Sequence, residues 1–110
     1  MKAPFEELAA LDRLVHEPAR LALLTALTSC ESADFLYLQR LTGLSKGNLS
    51  SHLSKLEEAG LVKVEKQFNG KTPLTRIAVT DPGREAVERH WQQLERLRSK
   101  ARRWVPQGTD

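Results

Sequence analysis

At 110 residues the chain has room for one domain and not for a second independent core. Hydrophobic residues make up 40%, enough for a modest core that a partner subunit would enlarge, while aromatics at 5% are too few for a base-stacking surface against single-stranded nucleic acid. The formal charge of +3 is unevenly placed: residues 1–44 carry four basic and six acidic side chains, net −2, and residues 45–110 carry thirteen and eight, net +5, as in a protein that offers one region to a polyanion.

Residues 5–15 place Phe5, Leu8, Leu11, Leu14 and Val15 on one helical face, which predicts a first helix. Pro18 cannot continue it but suits the first turn of a second helix, running to about Leu27 with Leu21, Leu24 and Leu27 inward. Residues 28–34 are polar and turn-like, with space for a very short strand. Asp34 is a good N-cap for a third helix over 35–41, closed by Gly43. Ser45 caps a fourth, over 46–59, stopped by Gly60. Two short helices joined by a few residues that include a glycine make a helix-turn-helix.

Beyond Gly60 the period changes. Residues 61–68 alternate as a strand, Asn69-Gly70 signals a hairpin, and residues 74–79 return, with Pro73 on an edge-facing side. Thr80 then caps a long terminal helix with Pro82 in its first turn. Along it Val87, Leu94 and Ala101 repeat every seven residues, as do His90, Leu97 and Trp104, with Trp91 alongside. A basic run, Arg96, Arg98, Lys100, Arg102 and Arg103, falls in its last turns, where the helix dipole favours cations. The expected fold is mainly α with a small β-hairpin: a winged helix-turn-helix over residues 1–105, flanked by N- and C-terminal dimerisation helices and followed by a polar tail over 106–110.

Projected at about 100° per residue, helix 46–59 gathers Leu49, Leu53 and Leu56 into a narrow core-facing arc. Opposite lie Gly47, Ser51, Ser54 and Glu58, flanked by Asn48, Ser50 and Lys55. Serines, asparagine and glycine are poor helix formers, and a merely solvated face is usually built from Glu, Lys, Gln or Ala. Small side chains instead let a helix lie deep in a major groove, with hydroxyls and an amide to bond phosphates or base edges. On the hairpin, Lys71 at the tip and Lys63, Lys66 and Arg76 on the strands suit the phosphates of an adjacent minor groove, although lysines on edge strands also block aggregation.

The segments Arg20-Leu-Ala-Leu-Leu24, Asp34-Phe35-Leu36 and Leu41-Thr-Gly-Leu-Ser-Lys-Gly-Asn-Leu-Ser-Ser-His-Leu-Ser-Lys-Leu-Glu-Glu-Ala-Gly-Leu61 resemble winged-helix regulators related to the MarR and ArsR families, in their short form. Lys66-Gln-Phe-Asn-Gly-Lys-Thr-Pro73 and Leu74-Thr-Arg-Ile-Ala-Val-Thr-Asp-Pro-Gly-Arg84 are similar to that group's wing and the start of its last helix. The resemblance spans roughly residues 11–95. It implies a dimeric regulator of double-stranded DNA, with Lys46, Asn48, Ser50, Ser51, Ser54 and Lys55 on the recognition helix and Lys71 and Arg76 on the wing. His52 fits the pattern on the buried flank, as a packing residue or a phosphate contact.

The apolar stripe over 5–15 and the two heptad rows exceed what one small domain buries. They predict a homodimer interface built from Phe5, Leu8, Leu11, Val87, Trp91, Leu94, Leu97 and Trp104, the alternative being that Trp91 and Trp104 fold back onto the first helix of their own chain. Two recognition helices about 34 Å apart would then read a pseudo-palindromic site. Cys30 is the single cysteine, which excludes an internal disulfide and a Cys-rich zinc site, and the paired cysteines of metal-sensing ArsR proteins are missing. No phosphate-binding loop, nucleophile elbow or paired metal-binding histidine motif is present, so neither enzymatic activity nor a cofactor or metal is expected. A small-molecule effector would need a pocket at the dimer interface near Trp91. No apolar run reaches the ~18–20 residues of a membrane span and no signal-peptide layout opens the chain, which points to the cytoplasm. Use of the winged helix for protein association is the second reading.

Overall fold

The computed structural model describes residues 3–106, so the expected polar tail lies, apart from Pro106, outside the described residues. In chain order the elements are α1 (Pro4–Ala9), α2 (Pro18–Leu27), β1 (Ala33–Asp34), α3 (Phe35–Thr42), α4 (Lys46–Glu58), β2 (Val62–Asn69), β3 (Thr72–Val79) and α5 (Asp81–Arg103). The strands form one antiparallel sheet in the order β1-β3-β2. Helices α2, α3 and α4 with this sheet are the winged helix-turn-helix, and α1 and α5 flank it.

The caps act where the sequence places them. The Asp34 carboxylate accepts from the Tyr37 amide at 2.7 Å, the Ser45 hydroxyl from Asn48 at 3.2 Å, and the Thr80 hydroxyl from Gly83 at 3.0 Å. Each occupies an amide that the first helical turn leaves without a partner. Glu17 does the same for α2, accepting from the amides of Ala19 and Arg20 at 3.0 and 3.1 Å. Beneath these ends, Leu23, Leu24, Leu27, Leu38, Leu49, Leu53, Leu56, Val62, Ile77 and Val87 form one core. Burying a leucine fully contributes about 2 kcal/mol, so the three leucines of α4 outweigh the weak helix propensity of its outer face.

Two expectations need correction. The helix foreseen over 5–15 ends at Ala9. The chain then turns, with the Asp12 carboxylate accepting from the Leu14 amide at 2.9 Å and the Asp12 carbonyl from the His16 amide at 2.8 Å. Local side-chain bonding by an aspartate competes with helix continuation. The break lets Val15 enter the core while Phe5 meets the Trp104 ring edge-on at 5.1 Å. In the wing, Asn69 pairs with Thr72, so Asn69 belongs to β2 and the two-residue loop is Gly70-Lys71. Of that pair only Gly70 has positive φ, at 67°, the pattern of a turn with glycine at its first central position. Pro73 is tolerated on the middle strand because β1 covers only Arg76 and Ile77, leaving β3 open beside Pro73.

The long helix is set against the rest at one tight point. Thr80 receives the chain after β3: its amide donates to the Leu61 carbonyl at 3.0 Å and its hydroxyl to the Gly60 carbonyl at 2.6 Å. Gly83 lies so close beneath that a Cβ there would stand 1.9 Å from the Leu61 carbonyl oxygen. That contact is with backbone and cannot be relieved by a rotamer change. Gly83→Ala is therefore expected to destabilise the fold by ~3 kcal/mol through overpacking, read as a lowered denaturant midpoint at unchanged slope.

Candidate nucleic-acid interface

The outer face of α4 is open to solvent over Lys46, Asn48, Ser50, Ser51, Ser54 and Lys55. The sequence from 35 to 56 contains no acidic residue, and neither does the stretch from 66 to 80. Those two stretches meet in space. An open cleft of about 580 Å³ separates α4 from the wing, walled by Lys46, Ser50 and Ser54 on one side and by Lys66, Pro73 and Thr75 on the other. Asp34 and, from α3, Phe35, Leu36 and Gln39 also line it, with Leu53 and Val64. Glu57 sits at the rear, where its carboxylate accepts from the Val64 amide at 3.3 Å and fastens the last turn of α4 to β2.

Register divides the wing cations into two groups. Arg76 stands directly opposite Glu65 and Lys66 opposite Thr75, and successive residues of a strand face opposite ways. Lys66 therefore shares the cleft with α4, whereas Arg76 lies on the far face, where its Nε donates to the Ser32 hydroxyl at 3.1 Å. Lys63 is on that far face too, 2.8 Å from a Glu65 carboxylate oxygen. The hydrogen bond between them raises the Lys63 pKa and lowers that of Glu65. Lys71 projects from the tip, exposed. Of the three strand cations that the sequence grouped together, only Lys66, at the start of the acid-free stretch 66–80, lines the cleft.

A polar cluster fixes the inner flank of α4. The Nδ1 of His52, half-buried, lies 3.3 Å from a Glu17 carboxylate oxygen and 3.3 Å from an Arg20 guanidinium nitrogen. Arg20 also donates to the carbonyls of Leu14 and Arg13, at 2.7 and 3.3 Å. The loop before α2, α2 itself and α4 are thus joined through three side chains. Glu17 is partly desolvated, which opposes ionisation, but the two amides it accepts from, together with His52 and Arg20, hold its pKa below the ordinary value. His52 is accordingly a positioning residue on the inner side of the helix.

The apolar residues assigned to dimerisation fall into two sets. Val87 and Leu97 are buried within the protomer, as is Leu11, so none of them has area left for a partner. The reason is that α5 is covered twice, by α2 along its first half and by α1 along its second. Trp91 donates its indole N–H to the Thr25 hydroxyl at 3.0 Å yet stays 40% exposed. Phe5 and Trp104 remain 47% and 42% exposed while touching each other. Leu8 and Leu94 are half-buried. Glu7 completes the α1–α5 contact, accepting from Arg96 at 2.6 Å and Gln93 at 3.4 Å, and these bonds lower its pKa.

Among the described residues no group of three or more His, Cys, Asp or Glu side chains is arranged to hold a metal ion, and no helix is long and apolar enough to cross a membrane. With a groove flanked by Lys46 and Lys66 between its fourth helix and its wing, the chain matches the family model described as "Winged helix DNA-binding domain" over residues 19–98. The chain belongs to that family. The likeness to MarR-family regulators extends to the fold.

As a winged helix protein it has several relatives of similar size. An uncharacterized protein of Methanocaldococcus jannaschii is 33% identical over 78 residues, covering 71% of this chain and 85% of that one. The HTH-type transcriptional regulator YgaV of Escherichia coli is 34% identical over 62 residues, covering 56% of this chain and 63% of its own length. The solved structure of a transcriptional regulator homologue from Pyrococcus horikoshii superposes with a TM-score of 0.80 at 30% identity, covering 89% of this chain and 96% of that one.

One buried group is expected to tie the stability of the fold to pH. His16 in the loop before α2 and His90 on α5 share a hydrogen bond, Nδ1 to Nε2, at 2.8 Å. One ring must donate and the other accept, so the pair cannot carry two protons on the facing nitrogens. His90 is only 4% exposed, and desolvation with the nearby His16 lowers its pKa from the ordinary 6.5, against an opposing pull from Asp12. A histidine with a depressed pKa contributes stability above the unfolded value and loses it as pH falls through the folded value. Melting curves between about pH 7.5 and about pH 5 should therefore show a steeper loss of stability in the parent than in His90→Gln, where this proton uptake is gone. Parallel curves would mean that other groups carry the acid sensitivity.

Proposed function

We propose that this winged helix protein is a sequence-specific transcriptional regulator that binds double-stranded DNA as a homodimer and represses by occupying a promoter. Helix α4 lies in the major groove and the 62–79 hairpin serves as the wing. One observation carries the reading: the first three turns of α4 expose small polar side chains and lysines with no acidic residue before Glu57, and they border a cleft whose facing walls hold Lys46 and Lys66. Such a face admits base edges closely, while the cations neutralise phosphates.

Within this reading Asn48, Ser50, Ser51 and Ser54 read bases or bond phosphates, Lys46, Lys55, Lys66 and Lys71 neutralise the backbone, and Arg76 supports the wing through Ser32. The homodimer is supported by the apolar residues that stay exposed in the protomer, Phe5, Trp91 and Trp104, with Leu8 and Leu94 between them. Pairing of α1 and α5 with a second copy would place two α4 helices about 34 Å apart and match a pseudo-palindromic operator. The mechanism is occupancy, with no bond made or broken.

Selection of bound fragments from a random duplex library at near-physiological salt tests the whole reading. Enrichment of an inverted repeat with half-sites about one helical turn apart is the expected result. Binding that ignores sequence, or none even at low salt, would favour association with another protein instead. On the selected site, Asn48→Ala should cost about 1–3 kcal/mol and relax preference at one position. Lys66→Ala should weaken all sequences alike and reduce the salt slope by about one, and Arg76→Ala should do neither to a comparable extent.

A further inference from the structure

The most exposed aromatic ring of the chain is on the wing. Phe68 is 73% exposed, far from the α1 and α5 surfaces that would pair in a dimer, and in the last part of β2 before the turn. It faces Pro73 across the hairpin, and Pro73 is exposed as well. By strand alternation both lie on the face that also presents Lys66, the face turned toward α4. Pro73 is four strand steps from Ile77, the buried residue of β3, so this apolar pair stands roughly 13 Å beyond it. Below Arg76 the hairpin has no third strand, and its tip is the two-residue loop carrying Lys71.

A bare phenylalanine and proline at the end of a narrow two-stranded arm are costly in water and do nothing for the core. The charge around them is cationic: Lys66 shares their face, Lys71 stands at the tip, and the stretch from 66 to 80 holds no acid. This combination of an apolar edge between cations suits one kind of surface, a stack of base pairs bounded by phosphates. The B-DNA minor groove is about 6 Å wide, enough to admit one ring edge but not a helix.

Building on the DNA-binding reading, we propose that Phe68, backed by Pro73, is an apolar wedge that enters the minor groove beside each half-site and partly unstacks one base step there. Lys66 and Lys71 hold the flanking phosphates and set the depth of entry. Wedges of this type bend the duplex toward the major groove by at least ~20°. Pyrimidine–purine steps, TA and CA/TG, open most readily, so the wing selects such a step at a position that α4 never touches. Part of the sequence preference of the protein therefore comes from the deformability of DNA under Phe68, and Phe68 is a specificity-determining residue.

The test uses the full-length protein and the operator obtained by library selection. The selected sites should contain a pyrimidine–purine step about half a helical turn outside each major-groove contact. Circular-permutation gel shifts should report a bend, and 2-aminopurine placed in the step should brighten on binding. Phe68→Ala, an exposed change with no core contact, should melt like the parent. It should still bind the inverted repeat but lose the bend, the 2-aminopurine signal and roughly tenfold of the preference for the flexible step. Phe68→Leu should keep most of each.

Three results would overturn the wedge. The first is parent protein bound to its operator with the duplex straight and the 2-aminopurine quenched; this leaves the DNA-binding reading standing. The second is a Phe68→Ala variant that bends and selects DNA as the parent does, or whose only defect is loss of self-association, which would assign Phe68 to a protein contact. The third is absence of DNA binding by the parent under any salt condition, which removes the wedge together with the reading it rests on.

Discussion

The contact between Gly83 and the Leu61 carbonyl is the constraint on which the arrangement of the two longest helices depends. Gly60 and Leu61 form the exit from α4, and Thr80 and Gly83 form the first turn of α5, so this one contact relates α4 to the terminal helix directly. Both partners are backbone, held by two hydrogen bonds from Thr80, and the space for a Cβ is already filled by an oxygen. A joint of that kind has little freedom to slide. If α5 pairs with a second copy, the separation of the two α4 helices is inherited from this joint and from the length of a 23-residue helix.

Helix α4 shows how an outer face of weak helix formers is reconciled with stability. Its outer face is composed of residues that weaken a helix, and its inner face repairs the loss with Leu49, Leu53 and Leu56, a serine cap and the hydrogen bond from Val64 to Glu57. The Glu17–Arg20–His52 cluster adds a polar fastening on the inner flank. These polar groups are only partly buried, so their contribution lies more in fixing the helix than in net energy. The wing follows the opposite logic: its base shares the core through Val62, Val64 and Ile77, while its far half has two strands, a glycine turn and exposed side chains.

The terminal segments hold the molecule together before they offer anything to a partner. Phe5 meets Trp104, Glu7 binds Arg96, and Leu11, Val87 and Leu97 are consumed inside the protomer. What stays apolar and accessible is a smaller set around Trp91, Leu94, Leu8 and the Phe5–Trp104 pair. The heptad spacing of α5 was therefore a true signal of burial, but it did not distinguish burial against the chain itself from burial against a copy.

The sequence by itself determined the helices, their caps, the hairpin and the leucine arc beneath α4. Each of these is set by interactions within a few residues: an N-cap oxygen three positions before its amide, a glycine able to take positive φ, a repeat of 3.6 or 2. It also carried the chemistry of the outer face of α4, because helical projection needs only the order of residues. The tertiary structure alone decided that Lys66 and not Arg76 would share the cleft with α4, and that Val87 and Leu97 would be spent internally. Those outcomes turn on strand register and on which helix crosses α5 at which turn. They are set by contacts between residues as far apart as Glu7 and Arg96, and no local period encodes such a distance.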